Sequence, residues 1–530
     1  MGTIRAWRAI PVVIALATPQ LAAAAACTGI VVANVHADAA RGGDPLAGAK
    51  VSDGVQVVVT GADGRYALDA AEGRPVFLVK PPGFFLGDSR AAWKPPGECG
   101  DFAVMPGDHN LHWHGGSPVI VIADPQVKSP VDVDYFRRDV MHAIRADYAN
   151  AFSIQTGGRG RVTEGAHADL GIVLGDIADD DPSLYPAMVA TLGGGPWLFV
   201  PGNHDVDVGA TTDAGSLDAY ARHFGPDTHA WEETGAAYIL LDDVIVRPDA
   251  GTAYIGGFRE DQFAFLEAYL ATLPRDRRLV VGVHIPLFEA PGRDTFRDAD
   301  RERLFALLDD FPDVLVLSGH THAQGHYFHD ASTGWHGATP LHEYNVGAAS
   351  GAFWSGVKDH AGIPDTTMAD GTPNGYAMLR PRRGGGFAID WRPARHHADD
   401  PLVNDAMALH APKVLRQGSW PGQAVHANVY MGRDDTRVEY RVDGGEWRPM
   451  QHVLAPDPRV VAENMRDDEA KTLRAYDRAP QATPSTHLWR GTLPTDLPVG
   501  EYRVEVRAFD PWHGERRART SYELVLWEPL

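Results

Sequence analysis

Cysteine is nearly absent: of 530 residues only Cys27 and Cys99 carry a thiol, which excludes a zinc site built from thiolates alone. Long apolar runs are missing as well. Beyond the N-terminal stretch no segment offers the roughly eighteen uninterrupted apolar residues of a membrane-spanning helix, so none is expected in the mature chain. Basic charge is also short, with 48 Lys and Arg against 70 Asp and Glu and a formal net charge of −22. An acidic surface of that size argues against a duplex nucleic acid partner, whose binding needs a basic face.

What is present has the balance of a globular protein, 44% hydrophobic and 22% charged. The length exceeds one core and predicts about two to four domains. The 39 prolines and 56 glycines point to many turns and a β-rich share outside the central part. At the N-terminus, Arg5 and Arg8 precede an apolar stretch from Ala9 to Ala17 and an alanine-rich zone from Gln20 to Ala26. That order predicts an export signal over residues 1–26 and a periplasmic or secreted protein. The stretch is too short for an anchor and is followed by Pro19. In an exported chain Cys27 and Cys99 can close one disulfide around the first domain. Alternatively Cys27 is lipid-modified, a reading ranked second because Ala24 stands where such signals usually carry Leu.

Five apolar runs of strand length end at polar, metal-competent residues. Val119 to Ile122 leads to Asp124-Pro125-Gln126, and Gly171 to Leu174 leads to Gly175-Asp176. Pro196 to Val200 leads to Gly202-Asn203-His204-Asp205, Leu279 to Val283 to His284, and Val314 to Leu317 to Gly319-His320-Thr321-His322. Continuous apolar runs of this length suit strands buried on both faces. The C-terminal edge of such strands is where open α/β sheets build their sites. Helical spacing at 133–148, 263–273 and 304–308 alternates with these runs and predicts a layered α/β core. One polar strand ending is a turn or a helix cap; five in order mark a site.

This set, D-x-Q, G-D-x-x-x-D, G-N-H-D, a lone His and G-H-x-H between about Pro118 and Leu379, resembles the calcineurin-like metallophosphoesterases. The resemblance implies an α/β fold with a central two-sheet sandwich flanked by helices. It also implies two divalent metal ions (Mn, Fe or Zn) at the strand ends. Carried over residue by residue, Asp124, Gln126, Asp176 and His322 match ligands of the first ion. Asp176, Asn203, His284 and His320 match those of the second, with Asp176 bridging. His204 is not a ligand; it donates to a phosphoryl oxygen or protonates the leaving alkoxide, oriented by Asp205 or another carboxylate. His320 and His322 stand two apart, so both face one site only on a loop or strand. Gln126 replaces the commoner His, and an amide oxygen is the weaker ligand, so the first site either holds its ion less tightly or prefers manganese or iron to zinc, the alternative being that Gln126 does not bind at all. Two divalent ions against two anionic ligands leave positive charge for a phosphoryl group, a local attraction that an acidic chain otherwise lacks.

Other candidates are less specific. Asp179, Asp180 and Asp181 can tune a ligand or simply be exposed acids. His326, His329, His336 and His342 follow the ligand loop and read mainly as solvated or structural. The small-residue loop Asn345 to Gly356 lines a leaving-group pocket or forms a buried turn. The flanks read as β modules. Residues 27–115 form an N-terminal β-sandwich whose Asp-Gly turns are similar to carboxypeptidase-regulatory-like modules, before a metallophosphoesterase domain at 116–395. A C-terminal β domain follows at 410–530, with Asp457 to Ser485 as a long polar loop. The functional expectation is an exported dinuclear phosphoesterase acting on a small-molecule or envelope-derived phosphate ester. Attack of a metal-bridging hydroxide is the mechanism the resemblance implies; phosphodiesters or a broad range of esters are favoured because no basic residue sits in the ligand motifs to hold a monoester's second charge. The alternatives are a phosphomonoesterase and a catalytically inactive envelope or glycan-binding protein that keeps the fold, which Gln126 alone favours.

Overall fold

The computed structural model describes residues 25–526 except 37, 108–117, 156–169, 194, 214, 248–252, 290–292, 396–403, 421 and 475–476. The export signal therefore lies almost wholly outside the described residues. Only Ala25 and Ala26 of that segment are described, and they already pair with Ala70 and Asp69 in a strand.

The apolar runs form two sheets packed face to face. In the first, Trp197–Val200, Leu170–Leu174 and Val119–Ile122 run parallel, and Gly375–Pro381 and Phe387–Pro393 extend it antiparallel. In the second, Ala237–Leu241, Leu279–Gly282, Val314–Ser318 and Leu341–Asn345 run parallel, flanked by Thr228–Glu232 and Gly325–His329. Val121, Ile172, Leu174 and Val200 of one sheet meet Leu240, Val280, Leu315 and Leu317 of the other in a single core. Burial on both faces requires an outer cover as well. Helices Pro130–Arg138, Val140–Gln155, Tyr185–Leu192 and Asp218–Phe224 cover the first sheet. Glu260–Leu270 and Asp298–Leu308 cover the second. The helical spacing over 133–148 resolves into two helices broken at Asp139, whose carboxylate accepts from Asn374 Nδ2 at 2.9 Å.

Every parallel strand points its C-terminus the same way, so all the polar strand endings meet at one edge of the sandwich. The N-terminal β module pairs Ala25–Ala33 with Arg65–Ala70 and Phe102–Pro106, and a second sheet runs Val57–Val59, Lys50–Ser52, Val76–Val79 and Trp93–Lys94. Cys27 and Cys99 form a disulfide there, which leaves no thiol for a lipid. The C-terminal module is a sandwich of two sheets around Leu409, Val425, Trp489, Val504 and Leu524.

One expectation fails: Asp457 to Ser485 is not a long loop, because Pro458–Glu469 is a helix. Asp457 caps it through Arg459 N–H, and Pro458 sits in its first turn. Its buried face is Val460, Asn464 and Asp467. The two polar members are buried at no loss because both are bonded, Asn464 to Pro480 and Ala482, Asp467 to Val357 and Ala479.

Candidate metal centre

The strand ends are held in an unusual backbone. Asp124, Gln126, Asp176, His320 and His322 have φ of 47°, 36°, 50°, 70° and 49°, five of the ten non-glycine residues with positive φ among those described. Asp180, Phe353 and Trp354 add three more around the same edge. Such conformations cost on the order of 1–3 kcal/mol each and persist where the surroundings over-determine them. Glycine clears the space between the endings. A Cβ on Gly175 would sit 2.6 Å from His284 Nδ1, one on Gly319 2.9 Å from Asp124 Oδ2, and one on Gly202 would strike the Asp176 carboxylate.

The endings converge. One ligand atom each from Asp176, His284 and His320 lies within 4.8 Å of the others. His284 Nε2 is 3.1 Å from Asn203 Oδ1, 3.1 Å from His320 Nδ1 and 3.4 Å from Asp176 Oδ1. Its other nitrogen, Nδ1, faces Leu174 O at 2.8 Å; a carbonyl only accepts, so Nδ1 is the donor there and Nε2 is the nitrogen turned toward the other endings. His322 repeats the device, with Nδ1 2.8 Å from Gly351 O and Nε2 3.9 Å from Asp124 Oδ1. Asp124 accepts the His320 backbone N–H on both oxygens at 3.0 Å, tying the first ending to the last. Gln126 is 2% exposed. It donates Nε2–H to Asp179 Oδ1 at 2.9 Å, which leaves its carbonyl oxygen buried and without a partner. A buried orphan acceptor costs about 1–3 kcal/mol, and a cation at that point would remove the deficit.

The buried groups act strongly on one another's charge. Burial pushes the Asp124 carboxyl up to about 8 against the pull of His284, with Asp176 adding to the rise. Asp176 is as buried, yet the charges of His284 and His204 hold it well below the usual range. Burial disfavours charge on His284, but Asp176 outweighs it and raises the imidazole to about 10. Burial lowers His320 and His322 to about 3 and about 4, so both stay neutral, the form that ligates. The donor set, two carboxylates, two amide oxygens and three imidazoles, fits two oxygen- and nitrogen-bound divalent ions.

His204 stands beside this group. Its backbone N–H donates to Asp176 Oδ1 at 2.9 Å, and its ring Nδ1 lies 3.0 Å from Asp180 Oδ1 and 3.4 Å from Asp179 Oδ1. Asp205 does not orient it. That carboxylate turns inward to accept from Ile177 N–H, Gly202 N–H and the Tyr185 hydroxyl, holding the turn itself. Of the three following acids, Asp179 meets Gln126 and His204, Asp180 meets His204, and Asp181 caps a short helical turn through Ser183 N–H. His326 and His342 face each other at 3.0 Å away from the ligand group, and His329 bonds Glu343 at 2.7 Å. His336 is exposed in the segment that follows. The loop Asn345 to Gly356 reaches the site through Gly351 and through Phe353, whose ring stacks on His322 at 4.0 Å.

Several supporting residues escape a reading of the sequence. Asp243 accepts the backbone N–H groups of His284 and Ile285 at 3.1 Å. Glu343 gathers Leu287 N–H, Phe288 N–H, Ser318 Oγ and His329, bracing two ligand loops at once. Tyr254 packs edge-on against His320 at 6.1 Å. Asp243 follows an apolar run as the ligand candidates do, so a signal for it was present; Glu343 and Tyr254 carry none.

The calcineurin-like phosphoesterase family matches residues 117–324, and the C terminal of calcineurin-like phosphoesterase matches residues 343–515. No curated protein matches the chain. Among solved structures, a purple acid phosphatase from yellow lupin (Lupinus luteus) seeds aligns over 68% of this chain and 68% of its own, at 14% identity and a TM-score of 0.34. The family implies a binuclear centre of divalent ions, and the strand endings supply a donor set for one. The chain thus carries a calcineurin-like phosphoesterase domain with that family's C-terminal domain behind it, and is a metal-dependent phosphoric ester hydrolase.

Proposed function

We propose that this chain is an exported phosphoesterase that prefers phosphodiesters. In this reading Asp124, Gln126, Asp176 and His322 hold one ion, and Asp176, Asn203, His284 and His320 the other. The observation that carries it is the buried convergence of Asp176, His284 and His320 beside the unpaired Gln126 carbonyl. Bound there, two divalent ions would supply Lewis acidity, charge neutralisation and an acidified water. The chain's own residues do the rest. Asp180 and Asp179 keep the proton on His204 Nδ1, so Nε2 is the edge that delivers a proton to the departing alkoxide. The Cys27–Cys99 disulfide suits an oxidising compartment. The lean to diesters rests on the ligand motifs, which contain no Lys or Arg to hold a monoester's second charge.

The test is hydrolysis with added Mn²⁺ of bis-p-nitrophenyl phosphate, p-nitrophenyl phosphate and an alkyl phosphodiester, for the wild type, Asp176→Asn and His204→Ala. Asp176→Asn should lose bound metal and nearly all turnover. His204→Ala should lose about 10²–10⁴-fold on the alkyl ester, whose leaving group needs a proton, and far less on the nitrophenyl esters. Equal losses on both would remove His204 from the acid role, and faster monoester turnover would reverse the stated preference.

A further inference from the structure

The lean to diesters leaves a second question, which ester the pocket favours, and the rim beside the first ion's ligands bears on it. Phe353 and Trp354 are consecutive bulky aromatics with φ of 59° and 53°. That backbone is an outlier for such residues, and it is fixed from several sides. Trp354 N–H donates to Ser350 O at 3.0 Å, Trp354 Nε1–H to Pro125 O at 2.9 Å, and Ser350 N–H to Asp124 O at 3.1 Å. The result turns the half-buried Phe353 ring onto His322, centroid to centroid 4.0 Å and 22° from parallel.

Over the same ring stands Lys128, two residues past Gln126, with Nζ 5.1 Å from the centroid. Lys128 is exposed, and its ammonium enters no ion pair or hydrogen bond among the described residues. Asp132, four residues on, accepts the Lys128 backbone N–H at 2.9 Å, and its carboxylate feels the Lys128 charge. A second ammonium, Lys358, which makes no hydrogen bond or ion pair among the described residues, lies 5.5 Å over Tyr135, which neighbours Trp354 at 6.1 Å. In a chain of net charge −22, these two lysines put positive charge on one aromatic patch beside the ligand group, offset in part by Asp132 and Asp477, on which they act through space.

The phosphoryl group that reacts would sit against the ligand cluster, on the near side of His322. Lys128 stands over the Phe353 ring that stacks on His322, so its ammonium borders the ligand group on the first ion's side and is the nearest described cation for a further charge on the same molecule. We propose that Lys128, seated on Phe353, binds the second phosphate of a diphosphate-linked diester, and that such esters are the preferred substrate class. This rests on the phosphoesterase reading and sharpens it: one phosphate reacts, and the neighbouring one is gripped by Lys128, with Lys358 adding to the field.

The test compares kcat/KM for a dinucleoside diphosphate with that for bis-p-nitrophenyl phosphate, in the Mn²⁺-loaded full chain. Lys128→Ala should lower the ratio about 10- to 100-fold, the worth of a charge-assisted hydrogen bond, through KM of the diphosphate. Lys128→Arg should restore most of it, and rising ionic strength should shrink the wild-type ratio more than the variant's. Phe353→Gly keeps the left-handed backbone and should lower the ratio in the same way while bound metal stays stoichiometric. A ratio unmoved by Lys128→Ala, or a wild type that cleaves bis-p-nitrophenyl phosphate but not the diphosphate, overturns the proposal. A wild type inactive on both esters refutes the phosphoesterase reading and takes this one with it.

Discussion

The two β flanks hold the central sandwich in different places. The N-terminal module is fastened by Lys50 to Glu232 at 2.5 Å, Lys80 to Glu233 at 2.7 Å, and Arg74 to Asp261. Those partners lie on the edge strand Thr228–Glu232, just after it, and on the helix Glu260–Leu270, none of which carries a ligand candidate. The C-terminal module bonds directly behind one. Gln324, two residues past His322, donates Nε2–H to Tyr430 O at 3.0 Å and its backbone N–H to Asp370 Oδ2 at 2.7 Å. His487 faces that same carboxylate at 3.2 Å, and Asn428 donates to Asp370 O at 2.8 Å. Both flanks share apolar core with the sandwich, so the difference lies in where the polar bonds end. One module is docked on the scaffold; the other helps to build the loop that presents His320 and His322.

The sharpest way to break this contrast is Asp370→Ala. The carboxylate is buried and also accepts Thr372 N–H at 2.8 Å, so its removal strands several buried donors. We expect a loss of about 2–4 kcal/mol in unfolding free energy, together with reduced metal content and activity, because the Gln324 anchor goes with it. Acid should erase the difference. Burial alone would raise Asp370, but His487 and the N–H groups of Gln324 and Thr372 hold it below its ordinary value. A folded pKa below the unfolded one stabilises above about pH 4 and is lost as pH falls through the folded value. The gap in unfolding temperature between wild type and Asp370→Ala should therefore narrow between pH 6 and pH 3. A gap that widens in acid would mean the carboxylate is not what holds the loop.

A middling effect is expected at Gln324→Leu, which keeps the bulk and the backbone bond to Asp370 but deletes the bonds to Tyr430 and from the Tyr344 hydroxyl. About 1–3 kcal/mol should be lost for the orphaned partners. Mn²⁺ titration should show the affinity falling severalfold. Full stability with weakened metal binding would make the C-terminal module a tuner of the loop; the reverse would make it a structural brace alone.

The ligand candidates were legible because chemistry and periodicity coincide: each buried strand is apolar until the residue at its open end. What escaped depends on geometry that no local pattern encodes. Asp205 is adjacent to His204 in the chain, yet the turn sends its carboxylate back onto Gly202 and Ile177, and Asp180 reaches the imidazole instead. The helix Pro458–Glu469 hides from hydrophobic periodicity because two of its three buried residues are polar and are satisfied by distant partners. The Lys128 and Phe353 pairing joins the first ligand loop to the segment after the last one, and nothing in either stretch alone announces the other.

The smallest effect should come from the N-terminal side. Arg74 meets Asp261 with both side chains partly exposed, 27% and 21%, so solvent screens the pair and a cost of about 1 kcal/mol or less is expected for Arg74→Ala. Asp261 also has Arg259 at 3.3 Å, so removing Arg74 does not leave its charge unpaired. Burial lowers the Arg74 guanidinium against the pull of Asp227, so its loss also relieves desolvation. Activity and Mn²⁺ affinity should match the wild type, because the interface it fastens ends on a helix that presents no ligand. If Arg74→Ala instead lowers metal affinity as much as Gln324→Leu does, the route runs through Arg259 and Asp242, where the two bond, to Asp243, which holds the backbone of His284. In that event the N-terminal module, too, would be part of the site.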